Sequence, residues 1–269
     1  MSVINLPLVE ENKHVKELAE ILNKGGRGAN AKGLLEVFNH ICSMERDLGK
    51  AIDELTAMRQ ELSVMRDEQK HPIKTMLHKA ADSLMLKLKS VLKQILSVKD
   101  KFIDGCKQAV EAVKDKGIIA ANDFVGALNI KGDLEAARNT MNNNIAFCEK
   151  QIAKIENACA EYHAAGRAIK NVGRLIAGKE PIPEIKPNGK LAQLLQAPFR
   201  GEISHQKRCL GRNSKALARI DKLEKAAEQS AARSRSSVVD EIKRHSAEKS
   251  QANPEIAAAK KTKTAGQEL

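Results

Sequence analysis

The chain has 269 residues, a net charge of +12, 42% hydrophobic residues and only 2% aromatic ones, with no Trp and one Tyr. The hydrophobic share excludes a wholly disordered chain, and the shortage of aromatic residues argues against an all-β domain. Ala, Leu, Lys, Glu, Gln and Met dominate instead, so the chain reads as nearly all helix.

Five cysteines, Cys42, Cys106, Cys148, Cys159 and Cys209, are widely spaced and form no C-x-x-C. Neither a disulfide framework nor a zinc site is expected from them. The first residues lack the basic and apolar regions of a signal peptide, and no apolar run approaches the about 18 residues of a membrane span. The expected setting is cytoplasmic and reducing.

Residues 1–33 read as a short amphipathic helix, about Val15–Leu22, followed by the Gly-rich break NKGGRGANAKG. A bundle of long helices is expected over 34–178. Its first seam is Leu34, Val37, Ile41, Met44, Leu48, Ala51, Leu55, Met58, Leu62 and Met65, alternating by three and four as in coiled-coil packing. The tight DEQKHP then turns the chain into an antiparallel partner.

That second helix carries two apolar stripes between Ile73 and Lys116, so it can meet two neighbours and is placed in the middle. A short piece, Ile118–Leu128, precedes a break at NIKGD, and Asp133 reads as the start of the third long helix. The third seam is Met141, Ile145, Cys148, Ile152, Ile155, Cys159, Tyr162, Gly166, Ile169, Gly173 and Ile176. Residues 179–203, with four prolines, read as a linker. Ser204 is a candidate cap for a final helix over 204–230, and 231–269 reads as a frayed or disordered basic tail. More than half of the net positive charge lies from Pro198 onward.

Gly173–Lys179 comes within one residue of a phosphate-binding loop, because GRLIAGKE ends on Glu180 instead of Ser or Thr. Such a loop needs a strand before it and a helix after it. Here a helix precedes it, Pro181 and Pro183 follow, and Glu180 sets a negative charge where phosphates would lie. The stretch reads as a helix C-terminus, with Gly178 ending the helix and Lys179 beside its carbonyl end.

Leu84–Phe102 is basic and amphipathic and raises a membrane-surface reading. Its stripes continue past both ends and no Trp anchors it, so a bundle core with a basic rim fits better. No metal spacing links the histidines, and no nucleophile, paired-carboxylate or cofactor signature stands out. An enzyme is not expected, nor a cofactor.

The runs SMERDLGKAIDELTAMRQEL (43–62), LNIKGDLE (128–135), GRAIKNVGRLIAGKE (166–180) and PFR (198–200) resemble an uncharacterised helical family. That family is associated with integrative and conjugative elements of Gram-positive gut anaerobes. The resemblance covers roughly 15–225; it implies a mobile-element setting and carries over no catalytic residues.

The sequence thus leads to an all-α, elongated antiparallel helical bundle with coiled-coil-like long helices, a C-terminal helix and a flexible basic tail. The expected role is a non-enzymatic interaction or scaffold protein of a mobile genetic element. Its candidate partner face is Gly166, Lys170, Gly173 and Arg174, where small seam residues adjoin basic ones. An alternative is a nucleic-acid-binding accessory protein, with Lys207, Arg208, Arg212, Arg233, Arg235, Lys260 and Lys261 on phosphates. A peripheral membrane-surface protein is the third reading. Heptad seams do not distinguish pairing within one chain from a homodimer.

Overall fold

The computed structural model describes residues 12–64, 72–116, 128, 130–183 and 190–251. They form five α-helices and, among the described residues, no strand: α1 (Lys13–Lys24), α2 (Gly28–Val64), α3 (Pro72–Lys116), α4 (Lys131–Ile176) and α5 (Lys190–Gln251). The chain divides into two units, Met1–Asp221 and Lys222–Leu269. The first holds the bundle; the described part of the second is helical as far as Gln251.

Within the bundle, cross-helix pairs fix every register. Phe38 stacks on Phe102 at 5.5 Å between ring centres, Glu45 pairs with Lys99 at 2.7 Å, and Arg59 with Asp82 at 2.6 Å. Residue numbers rise on α2 as they fall on α3, so the two are antiparallel. Lys101 meets Asp133 at 2.6 Å, and Lys87 lies 5.2 Å over the Phe147 ring, which makes α4 antiparallel to α3. Helix α5 closes the ring. It meets α2 through Arg219–Glu36, Arg212–Asp47 and His205–Glu54, and α4 through Lys131–Asp221, Asn213–Leu134 and Gln196–Glu156. Four helices therefore alternate in direction around one core. In place of a middle helix flanked by two others, α2 and α4 are each gripped by both α3 and α5.

The core follows the expected seams closely on α2 and α3. Leu34, Val37, Ile41, Met44 and Leu48 are fully buried, as are Leu84, Leu88, Val91, Ile95, Val98 and Phe102. The apolar side of Leu84–Phe102 is thus used inside the bundle. Helix α1 packs against α2 and α3, burying Val15, Leu18, Ala19 and Leu22, and Glu17 pairs with Lys114 at 2.7 Å. Asn12 caps it by accepting from the amides of His14 and Val15.

One device ends both α1 and α4. Gly26 and Gly178 adopt φ of +73° and +66°, the left-handed region that favours glycine. Arg27 and Lys179 donate to Leu22 and Arg174 carbonyls at 2.8 Å, while Gly26 and Gly178 donate to Asn23 and Leu175 at 3.1 Å. These are Schellman closures. Gly173–Lys179 is accordingly the end of a helix, as its sequence indicates.

The structure departs from the sequence reading over the last third. The helix expected at 204–230 with Ser204 as cap instead runs Lys190–Gln251, taking in half of the expected linker and part of the expected tail. Pro198 lies inside it. The buried neighbours Gln196 and Phe199 hold the segment helical across the hydrogen bond that Pro198 cannot make. Beyond residue 230 the Ala, Arg, Glu and Lys content suits a helix. The DEQKHP turn before Pro72 and most of Ile118–Leu128 lie outside the described residues, as does the tail from 252.

Phe102→Ala removes a fully buried ring together with its stacking on Phe38, and should destabilise the bundle by about 3–5 kcal/mol. Leu86→Ala, at a position 71% exposed, should change stability by less than about 0.5 kcal/mol. Urea unfolding followed by circular dichroism measures both.

Candidate functional site

Four helices of unequal length share the core, and their registers decide what is left over. Carried along the α3–α4 and α4–α5 pairs, they place Pro72 and Lys190, the first residues of α3 and α5, both opposite Tyr162. The last four turns of α4 run on past that point. There Tyr162 is 56% exposed, Ile169 75% and Ile176 83%, with Val172 and Leu175 also exposed. The heptad-like seam read from the sequence is therefore a core seam only as far as Cys159; its second half is a surface.

At about 100° per residue, Tyr162, Gly166, Ile169, Gly173 and Ile176 fall within an arc of about 80°. Val172 widens the apolar strip on one side. Lys170 and Arg174 border it on the other. A Cβ built on Gly166 or Gly173 meets nothing within 4 Å, so the strip is a pair of shallow notches between Ile169 and its neighbours. Asn171 faces the opposite way and holds the returning chain: Ile182 donates its amide to the Asn171 side chain at 2.7 Å. Arg174 Nε donates to the Glu180 carbonyl at 2.7 Å. Residues 180–183 are thereby held to the Asn171 side of the helix. The four candidate residues Gly166, Lys170, Gly173 and Arg174 lie together on or beside this surface.

The residues considered for nucleic acid are not brought together. Arg212 is half-buried, paired with Asp47 and donating to the Ser43 carbonyl at 2.9 Å. Arg208 donates to His205 Nδ1 at 2.6 Å. Both are held by internal contacts, a constraint that charge counting along the chain overlooks. Lys207 is exposed; Arg233 and Arg235 lie on the helix in the second unit; Lys260 and Lys261 lie outside the described residues.

A second feature is invisible to a search for apolar seams. On α4 the buried row is Leu134, Ala137, Met141, Asn144, Cys148, Gln151, Ile155 and Cys159. Asn144 and Gln151 point inward, while Ile145 and Ile152, the residues expected there, are only half-buried. Facing them, α5 buries Gln196, Glu202, His205, Gln206 and Asn213. The signal was the same three-and-four spacing, carried through polar letters.

Glu202 is 5% exposed and accepts from Gln206 Nε2 at 2.7 Å. Burial pushes its carboxyl up to about 7. Because Arg208 can only donate, His205 Nδ1 accepts, and Nε2–H donates to Glu54 at 3.0 Å. The thiols of Cys106, Cys148 and Cys209 are likewise pushed up to about 12 by burial, which keeps them protonated and inert. Among the described residues no group of three His, Cys, Asp or Glu side chains is arranged for a metal ion. No described helix is long and apolar enough to cross a membrane.

The raised carboxyl gives a stability signature of known sign. A proton on Glu202 binds more tightly in the folded chain than at its ordinary 4.5, so its contribution is complete below pH 4.5. It is lost as pH climbs to about 7. Relative to Glu202→Gln, the unmodified chain should lose on the order of 2–3 kcal/mol across that window. Denaturant titrations of both at a series of pH values read the difference.

A family model described as a family of unknown function (DUF6674) matches residues 11–264. No curated protein and no solved structure matches the chain. With nearly its whole length covered, the chain belongs to the family of unknown function DUF6674.

Proposed function

We propose that this chain is a non-enzymatic helical interaction protein that docks a protein partner on the overhanging end of α4. One observation carries the reading. Among the described residues, four exposed large hydrophobic side chains, Tyr162, Ile169, Val172 and Ile176, lie within about 80° on one side of α4. Scattered apolar side chains on a surface need no explanation, but a contiguous strip on an otherwise charged chain marks a contact. Burying each Ile or Leu is worth about 1.5–3 kcal/mol, enough in sum to offset the cost of association.

The partner we infer is a helix with an apolar stripe and an acidic flank. Gly166 and Gly173 let its backbone or a bulky side chain come close, and its acids would face Lys170 and Arg174. A second copy fits less well, because an antiparallel two-fold pairing sets Lys170 against its own counterpart. The setting proposed for this activity, a mobile genetic element in the cytoplasm, rests on the sequence resemblance.

A photoreactive benzoylphenylalanine placed at Ile169 in cells should crosslink to one discrete protein, whereas the same group at exposed Glu135 should not. Lys170→Glu with Arg174→Glu should abolish the adduct; because Arg174 also holds the Glu180 carbonyl, circular dichroism of the double variant checks that the helices are intact. Gly173→Leu should weaken it in the same way. Equal labelling from both positions, or an adduct indifferent to all three substitutions, would sink the proposal. An adduct of the chain with itself would replace the partner by a homodimer.

A further inference from the structure

The buried carboxylate opens onto a cleft that the α4 strip does not involve. It has a volume of about 460 Å³ and lies where α2, α3 and α5 come together. That is within the usual range for small-molecule sites. Leu55, Met58, Leu77 and Leu84 give it an apolar floor. Its polar lining, among the described residues, is Glu54, Glu61, Glu202 and His205, with no Lys or Arg. In a chain of net charge +12, this is a local inversion of sign.

Each polar group has a defined part. His205 Nδ1 is engaged by Arg208 and Nε2 by Glu54, so both ring nitrogens are spent on neighbours within the fold. Glu202 is more than nine-tenths buried, and its one bond is the amide of Gln206. Among the described residues no ion pair reaches it. Pro198 also lines the cleft and has no N–H, so the Leu194 carbonyl one turn earlier lacks its helical donor. Glu202, with a single hydrogen bond, keeps acceptor capacity for a charged donor. Gly201 also lines the cleft and leaves room, since a Cβ there meets nothing within 4 Å.

We propose that this cleft binds an amphiphilic organic amine, its ammonium on the Glu202 carboxylate and its hydrocarbon or aromatic tail on the leucine floor. An anion would meet three carboxylates, which Arg208 behind His205 offsets only in part. A neutral apolar molecule would shut water away from Glu202 and leave it the Gln206 amide as its one donor. A cation with an apolar tail satisfies both surfaces. The site is independent of the α4 strip and of whatever docks there.

Isothermal titration of the full chain with 4-phenylbutylamine tests it, with 4-phenylbutanol and 4-phenylbutanoate as neutral and anionic counterparts of matching shape. The amine should bind saturably, and the alcohol and the acid at least about tenfold more weakly, as expected for loss of a charge-assisted bond. Glu202→Gln should cost the amine at least about tenfold while leaving the alcohol unchanged. Gly201→Leu should fill the entrance and remove binding of both. No heat from the amine with the folded chain would overturn the proposal. So would an alcohol that binds equally well, or undiminished amine binding by Glu202→Gln. The comparison of the three ligands on the unmodified chain stands even if a variant folds poorly.

Discussion

The antiparallel register of the four long helices is the constraint on which the remaining features depend. It is set by pairs at several levels, from Phe38–Phe102 and Glu45–Lys99 on one side to Arg212–Asp47 and Lys131–Asp221 on the other. Exposed ion pairs contribute little energy singly. Their value here is positional, since each is compatible with one alignment of its two helices. Once α3 and α5 both begin opposite Tyr162, the rest of α4 has, among the described residues, no helix of this bundle beside it. The apolar overhang is therefore a direct consequence of unequal helix lengths and not of any local peculiarity.

The polar row inside the bundle belongs to the same constraint. A core of leucines alone tolerates sliding by a heptad, because one hydrophobic layer resembles the next. Asn213 donating to the Leu134 carbonyl at 3.0 Å, and Gln206 donating to Glu202 at 2.7 Å, have no equivalent one heptad away. They lower stability relative to apolar residues and make the alignment unique, which is the best-attested use of buried polar groups. Glu202 carries the larger cost of the two, because it is a carboxylate and its neighbours neutralise it only in part. The local price in stability is concentrated where α2, α3 and α5 separate enough to leave a cleft.

Much of the fold was legible in the sequence. The main seams on α2 and α3 consist of large apolar residues at regular spacing, and Leu34, Val37, Ile41, Met44 and Leu48 are inside, as are Leu84, Leu88, Val91, Ile95, Val98 and Phe102; of the second α3 stripe, Leu92 is only half-buried and Leu96 is exposed. Gly178 and Lys179 announced the end of α4 for reasons of backbone geometry. The α4 seam was legible as a stripe, and Gly166, Lys170, Gly173 and Arg174 were read from it as a candidate partner face because small seam residues adjoin basic ones there. What misled was the assumption that one stripe has one environment. Tyr162 and Ile169 continue the spacing of Ile155 and Cys159 without a break, yet the first pair is exposed and the second buried. On the inner half, Ile145 and Ile152 competed with Asn144 and Gln151 for the same row, and hydrophobicity alone favours the wrong pair.

Local physical chemistry, acting over a few turns, determined by itself that the chain is helical, where α1 and α4 end, and which face of each long helix is apolar. Propensity, capping and periodicity are all short-range, so the sequence carries them openly. The tertiary structure decided which part of an apolar face finds a partner, which arginines are consumed by internal carboxylates, and that Glu202, Pro198 and Gly201 converge on a cleft floored by residues more than a hundred positions away. Those outcomes depend on relative helix length and register. No window along the chain contains them, because they exist only once α5 has been laid between α2 and α4.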